Sequence, residues 1–332
     1  MKKSNAHAIL LQPPPGDLTG PYPALCYLKS FAAASGYSVR VRDLGIEAFG
    51  FLSKNERMQA MAARVADDIQ QLEAREFLTP DQQDHYRRLL MSAGFGLVRN
   101  FSARISGCFK NRDRFAHYHE YKKTCRLLDA FFRMLGAVHY PTEVTPSEYP
   151  TATILKTMPR ILSHRQPDIN PFMDYYEEKL LPQIAAANPL VVGISMVFAA
   201  QSAQALVLGH LLKERFPQIH VTMGGAYLSQ WVMAMADGQL DELFRCTDSV
   251  ICGEGEGPLT ELLRKIENGR DLDGVPNLIT PHDGSSGYRR FDDLTYTDVS
   301  AQPPPDFSDL DLSAYLTPET IIPYSISRGC YW

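Results

Sequence analysis

Four short apolar runs, each followed at once by a turn of small residues and then by a helical stripe, constrain this chain more than any other feature. The runs are Ala8 to Leu11, Val191 to Val197, Ile219 to Met223 and Ser249 to Cys252. The first two are nearly continuous, as strands buried on both faces of a parallel sheet require. Apolar positions at helical spacing follow: Leu25, Leu28, Phe31 and Ala32 after the first, and Ala205, Leu208, Leu212 and Phe216 after the second. Leu259, Leu262, Leu263 and Ile266 follow the last, in a helix started by Pro258. Gly36 and Gly269 are placed to close the first and last of these helices. Over 38–43, Val39 and Val41 alternate with Arg40 and Arg42, which predicts a strand nearer the sheet edge. Strands alternating with helices predict an α/β fold, a doubly wound Rossmann-like parallel sheet with right-handed crossovers.

The pattern is interrupted. From 49 to 188 the periodicity is helical, which predicts a large α-helical insertion. Met58, Met61, Val65, Ile69 and Leu72 step by three and four; Thr79-Pro80 reads as a helix start. Leu128, Phe131, Phe132 and Leu135 form another stripe with Cys125 on the same face. Asn170-Pro171 opens a further helix that Pro182 should kink or end. Residues 1–48 and 189–275 are expected to form the Rossmann-like domain and 276–318 a connector with one short hairpin. Residues 319–332 are expected to begin a further strand, rich in Ile321, Ile322, Tyr324 and Ile326. Ending on Gly329-Cys330-Tyr331-Trp332 with no polar tail, the chain is expected to be a piece of a longer protein.

Bulk properties narrow the function classes. The 332 residues carry a net charge of −5, with no basic excess of the kind that a nucleic-acid surface needs. The six cysteines, at 26, 108, 125, 246, 252 and 330, show no close pairing, so a reducing cytoplasm is the expected compartment. The apolar stretch after Lys2 and Lys3 is too short for a signal peptide. The longest apolar run, 189–200, falls short of the roughly 20 residues that span a bilayer.

In an open parallel sheet, ligands bind beyond the carboxyl ends of the strands. Four turns belong there: Pro13 to Pro23, Ser195 to Gln201, Gly224 to Tyr227, and Gly253 to Gly257. Glycine lets backbone approach a ligand closely, and the helices that follow add the positive ends of their dipoles. Glycine after a strand also serves simply to turn the chain. Glu254 and Glu256 equally suit the first turn of a helix, and Ser195 equally suits a strand end. Neither a G-x-G-x-x-G dinucleotide fingerprint nor a G-x-x-x-x-G-K-[ST] phosphate loop is present.

Taken together, the motifs resemble one family. They are Gln12-Pro13-Pro14-Pro15-Gly16 with Tyr22-Pro23, Val192-Gly193-Ile194-Ser195, Gly224-Gly225, and Cys252-Gly253-Glu254-Gly255-Glu256. With Pro305-Asp306-Phe307-Ser308-Asp309-Leu310 and Ser327-Arg328-Gly329-Cys330, they resemble the amino-terminal portion of cobalamin-binding radical S-adenosylmethionine enzymes. The resemblance covers 7–48 and 189–332. It implies a cobalamin site formed by Pro14, Gly16, Tyr22, Pro23, Ser195, Met196, Val197, Gly224, Gly225, Ala226, Gly253, Glu254, Gly255 and Glu256. It implies that 319–332 starts a partial (β/α) barrel and that Cys330 is the first of three thiolates holding a [4Fe–4S] cluster, in a C-x-x-x-C-x-x-C motif. Three thiolates leave one iron free to chelate S-adenosylmethionine, the source of a 5′-deoxyadenosyl radical. The reaction implied is methyl transfer to, or rearrangement at, an unactivated carbon of a peptide or small molecule. A flavodoxin or ferredoxin would donate electrons, and no nucleic acid or membrane is involved.

The sequence departs from the family where it stops, before the second and third cysteines. Cys246 and Cys252 read as core thiols. It also lacks D-x-H-x-x-G, the source of a lower cobalt ligand in some cobalamin proteins. His210 falls within a helix, His282 in a loop, and His117 and His119 in the insertion. Cobalamin is therefore expected to bind without histidine on cobalt. Two rivals stay open: a stand-alone cobalamin carrier or sensor, and a plain nucleotide-binding Rossmann-like domain. The insertion reads as core-forming helices or as a lid.

Overall fold

The computed structural model describes residues 6–93, 100–149, 163–282, 287–325 and 327–328. Its centre is a seven-stranded sheet in the order β2-β1-β3-β4-β5-β6-β7. The strands are β1 (Ala8–Gln12), β2 (Val39–Asp43), β3 (Val191–Ser195), β4 (His220–Gly224), β5 (Ser249–Ile251), β6 (Leu278–Pro281) and β7 (Tyr288–Arg289). The first five run parallel. The hairpin β6–β7 joins antiparallel at one edge. β1 and β3 are buried at every position, whereas β2 at the other edge alternates, as its Val/Arg pattern predicts.

Each strand separates two cores. Leu10, Val41, Val191 and Ile251 face α1 (Ala24–Ala34) and the last helix. Ile9, Leu11, Val192, Ile194, Val221, Met223 and Val250 face the larger core on the opposite side. That core is completed by α2 (Leu44–Leu52), α3 (Asn55–Glu73), α4 (Pro80–Ala93), α5 (Phe101–Phe109), α6 (Arg112–Ala116) and α7 (Tyr118–Val138). α3 packs on α4 and α7, and α5 on α7. The stripe on α7 is buried at Phe131, Phe132 and Leu135. Thr79 caps α4 reciprocally with Gln82, through Thr79 N–H to Oε1 and Gln82 N–H to Oγ1.

Pro182 does not end its helix. The helix, α8, runs from Met173 to Ala187 with a π-helical stretch at Tyr176–Leu180 just before the proline. A wider turn accommodates the missing N–H and the ring that crowds the preceding carbonyls. α9 (Ser202–Arg215), α10 (Ala226–Met233) and α11 (Asp237–Leu243) complete this face, and α12 (Glu256–Glu267) returns to the other. α12 begins at Glu256, two residues before Pro258.

The expected strand over 319–327 is a correction: residues 320–325 form neither helix nor strand. Ile321, Ile322 and Tyr324 are half or more exposed. β-branched residues suit a strand only beside another strand, and this segment has none to pair with among the described residues. The connector motif instead binds the β2 edge. Asp309 accepts the Val41 N–H at 2.9 Å, and Lys29 of α1 reaches Asp306 at 3.0 Å and Asp309 at 2.8 Å. An edge amide is thereby closed to further pairing. No helix among the described residues is long and apolar enough to cross a membrane.

Candidate functional site

β1 pairs with β2 on one side and β3 on the other, so the chain order reverses between β1 and β3. A crevice is expected there on topological grounds. A cavity of about 670 Å³ opens at this place, over the sheet face that carries α1 and α12. Its cause is local. Gly193, Ser195 and Thr222 occupy the middle of that face, whereas Leu10 and Ile251 stand on either side. Three small residues in register leave volume that α1 and α12 do not fill.

All four small-residue turns contribute to its wall. The first supplies Tyr22 and Pro23, the second Ser195 and Val197, the third Gly224, Gly225 and Ala226. The fourth supplies Gly253, Glu254, Gly255 and Glu256. Three expected site residues are not brought to the cavity. Pro14 and Gly16 border a small gap against Phe49 and Phe131 on the opposite side of the sheet. Met196 is fully buried; its N–H donates to the Gly224 carbonyl at 2.7 Å. Cys330 lies outside the described residues.

The turns are tied to one another. Gln201, fully buried, accepts the Val197 and Phe198 N–H groups through Oε1 and donates through Nε2 to the carbonyls of Pro13 and Pro15. Ser229 donates to the Gly225 carbonyl at 2.9 Å and accepts the Gly253 N–H at 3.0 Å. Gln201 thus joins the first turn to the second, and Ser229 the third to the fourth. Neither was picked out from sequence. Gln201 stands just before α9 and Ser229 one turn into α10, each beside other polar residues, so no local pattern marks them out.

Some of the glycines have structural duties as well. Gly225 has φ +105°, and a Cβ there would sit 2.5 Å from the Met196 carbonyl oxygen. The reading that glycine merely turns the chain is therefore right for the backbone of Gly225, which nevertheless lines the cavity.

The polar inventory is directional. The positions preceding α1, α10 and α12 are Pro23, Gly225 and Gly255, and none supplies a side-chain cap. Three sets of helix-start N–H groups and dipole ends thus border one cavity. Ser195 lines it with no side-chain hydrogen bond among the described residues. Gln12, just beyond the last β1–β3 pair, has a buried and unpartnered Oε1 at the same strand ends. Glu254 accepts the Thr297 N–H at 2.6 Å, Glu256 accepts Gln302 Nε2 at 2.7 Å, and Arg328 pairs with both glutamates.

Burial pushes the Cys26 and Cys246 thiols up to about 12 and Cys252 to about 11, so these sulfurs stay protonated at neutral pH. The residues lining the cavity include no histidine. His210 Nε2 lies 2.8 Å from Arg165, and His282 Nδ1 accepts Arg289 Nε at 3.4 Å. His117 and His119 sit with their rings 6.0 Å apart at the start of α7.

No family model and no curated protein matches the sequence. Two solved structures are similar, both of the radical S-adenosylmethionine methyltransferase TsrM from Kitasatospora setae. The structure with cobalamin and a [4Fe–4S] cluster bound has a TM-score of 0.36 and 14% identity. It is matched over 90% of this chain and 31% of its own. The structure with tryptophan and a SAM analogue bound has a TM-score of 0.33 and 15% identity, over 86% of this chain and 30% of its own. The chain spans about a third of the length of these proteins.

Proposed function

We propose that this chain is the cobalamin-binding portion of a radical S-adenosylmethionine enzyme. One observation carries the cofactor assignment: four turns far apart in sequence wall a single unfilled cavity at the topological switch point. The wall suits a corrin with its amide side chains and nucleotide-loop phosphate. The helix starts at Ala24, Ala226 and Glu256 offer N–H donors to anionic and carbonyl oxygens. The Gly193–Thr222 floor admits a flat group, and the Ser195 hydroxyl is free to donate to an oxygen of the corrin's peripheral amides or of its nucleotide loop. Backbone groups of Gly224, Gly253 and Gly255 can approach closely.

Cobalamin, if held by these turns, would supply the chemistry of methyl transfer. The protein's part is to seat and orient it and to keep water from the floor. The wider assignment rests on the sequence resemblance through Cys330. It covers a [4Fe–4S] cluster, S-adenosylmethionine, and methyl transfer to or rearrangement at an unactivated carbon. A peptide or small-molecule substrate, a flavodoxin- or ferredoxin-class electron donor and a cytoplasmic setting belong to the same proposal. So does the division into a cofactor domain (1–48 and 189–275), a helical insertion (49–188), a connector (276–318) and a barrel start (319–332).

Reconstitution with hydroxocobalamin tests the cofactor assignment: corrin absorbance should co-elute with the chain on gel filtration. Elution of all the corrin as free cofactor would sink it. In the encoding DNA, cysteine codons four and seven residues beyond Cys330 are expected. A stop codon directly after Trp332 would favour the carrier or sensor instead.

A further inference from the structure

The cavity floor continues into a file of polar side chains. Thr222 of β4 lines the cavity. His220, two residues earlier on the strand, and Ser249, the register partner of Thr222 on β5, share its face of the sheet. The interior of a parallel sheet is ordinarily apolar, so three polar side chains there need partners. They find one another. His220 Nε2 lies 2.9 Å from Ser249 Oγ, and Ser249 Oγ lies 2.8 Å from Thr222 Oγ1. Thr222 and Ser249 are both buried, so bulk water does not compete for these bonds.

The file can run in either direction, because each hydroxyl carries one proton. With the His220 proton on Nε2, His220 donates to Ser249 and Ser249 to Thr222, and the Thr222 proton is left over. Its one acceptor among the described residues is the Ser249 carbonyl oxygen at 3.4 Å, which the Thr247 hydroxyl already meets at 2.7 Å. A bond that long is weak, and the cavity is the better direction. With the proton on Nδ1, every hydroxyl proton of the file turns away from the cavity. Burial keeps the ring neutral at ordinary pH by pushing it down to about 4. Nδ1 has no hydrogen-bond partner among the described residues. Asp248, the carboxylate that acts on the ring, is engaged by Lys213 and by the Val221 N–H. A proton on Nε2 is used inside the protein, and it leaves on Nδ1 a lone pair, which costs less unpaired than an N–H.

We propose that Thr222 is a ligand-binding residue on the cavity floor, donating its hydroxyl proton to an uncharged acceptor atom of the ligand. Ser249 and His220 are the positioning residues that aim it. The amide carbonyls of a corrin are acceptors of this class. Identifying the ligand as cobalamin rests on the function proposed above; the direction of the file does not.

Titration of the full chain with hydroxocobalamin, followed by absorbance, tests the contact. Thr222→Val keeps the shape and removes the hydroxyl, and Kd should rise about fivefold, the worth of one neutral hydrogen bond. Thr222→Ser should stay within about twofold of the parent. Ser249→Ala should raise Kd about threefold in the parent and leave it unchanged in Thr222→Val, because it acts through that hydroxyl. An unchanged Kd in Thr222→Val, or equal effects of Ser249→Ala in both backgrounds, overturns the proposal. Should Thr222→Val fail to fold, an unchanged Kd in Ser249→Ala overturns it. Nitrogen-15 NMR of the ligand-free chain reads the direction of the file by itself. The His220 shifts should place the proton on Nε2, and a proton on Nδ1 overturns the donor floor. If the parent binds no hydroxocobalamin, the cofactor assignment fails, and the donor floor stands or falls on this NMR result.

Discussion

Gln201 Nε2 donates to the carbonyl oxygen of Pro13 at 3.1 Å, a bond between residues 188 positions apart in the chain. The same carboxamide reaches Pro15 and two backbone N–H groups, so all its hydrogen-bonding capacity sets the spacing of two cavity turns. A single side chain ties the first turn to the second at the strand ends.

Gln201→Leu keeps the volume and removes all four bonds. Buried backbone groups left unpaired cost about 1–3 kcal/mol each, reduced where water can reach them. A loss of about 3 kcal/mol in urea unfolding is expected, together with loss of corrin co-elution. A stability within 0.5 kcal/mol of the parent would show that the turns do not depend on this bridge.

Two glycines make a controlled pair. Gly225→Ala would place a Cβ 2.5 Å from the Met196 carbonyl oxygen on backbone at φ +105°. It should cost about 3 kcal/mol and shift the melting temperature down. Gly257 in the first turn of α12 has nothing within 4 Å of its would-be Cβ. Gly257→Ala should be neutral or stabilise by about 0.5 kcal/mol. Thermal melts of both variants check the contrast.

Asp43 caps α2 through its bonds to the Gly45 and Ile46 N–H groups and accepts the Tyr315 hydroxyl at 2.9 Å. Burial nevertheless pushes its carboxyl up to about 6 from 3.8. Between these values the folded chain holds the proton and the unfolded chain has released it. This group's contribution to stability is therefore full below pH 3.8 and is lost as pH rises through about 6. Asp43→Asn keeps a capping oxygen and does not titrate. The stability of the parent minus that of the variant should fall by on the order of 2–3 kcal/mol from pH 4 to 6.5. Taking the difference cancels His139 and His220, which burial pushes down to about 4 and which act in the opposite sense. Urea titrations across this range would show a flat difference if Asp43 ionises normally.

Lys29 is 9% exposed in its side chain and holds the connector through Asp306, Asp309 and the Ser308 hydroxyl. Lys29→Met should cost about 2 kcal/mol, below the full penalty for a broken buried pair because both aspartates reach water. The connector between β7 and residue 316 should become cleavable by a broad-specificity protease before the sheet does. Simultaneous cleavage of connector and sheet would contradict a separable clasp.

Much of the sheet is readable from local pattern. A strand buried on both faces must be apolar throughout, as Ala8 to Leu11 is, and an edge strand must alternate, as Val39 to Arg42 does. The stripe at Phe131, Phe132 and Leu135 likewise marks the buried side of its helix. The segment 320–325 reads as a strand because of its β-branched residues, yet that preference is expressed only beside a partner strand. Pro182 reads as a kink or an end, and the helix continues through it with a π-helical stretch at Tyr176–Leu180 just before it.

The sequence by itself determined the α/β class, the four turns at the strand ends and the helical character of the middle of the chain. Each follows from the periodicity of neighbouring residues along the backbone. Only the tertiary structure decided that Tyr22, Ser195, Gly224 and Glu254 share one cavity while Pro14 and Gly16 face away from it. It also decided that Gln201, Ser229 and Arg328 tie the walls together. Side-chain bonds between elements 24 to 188 residues apart leave no periodic trace in sequence, because they depend on which strands become neighbours in the sheet.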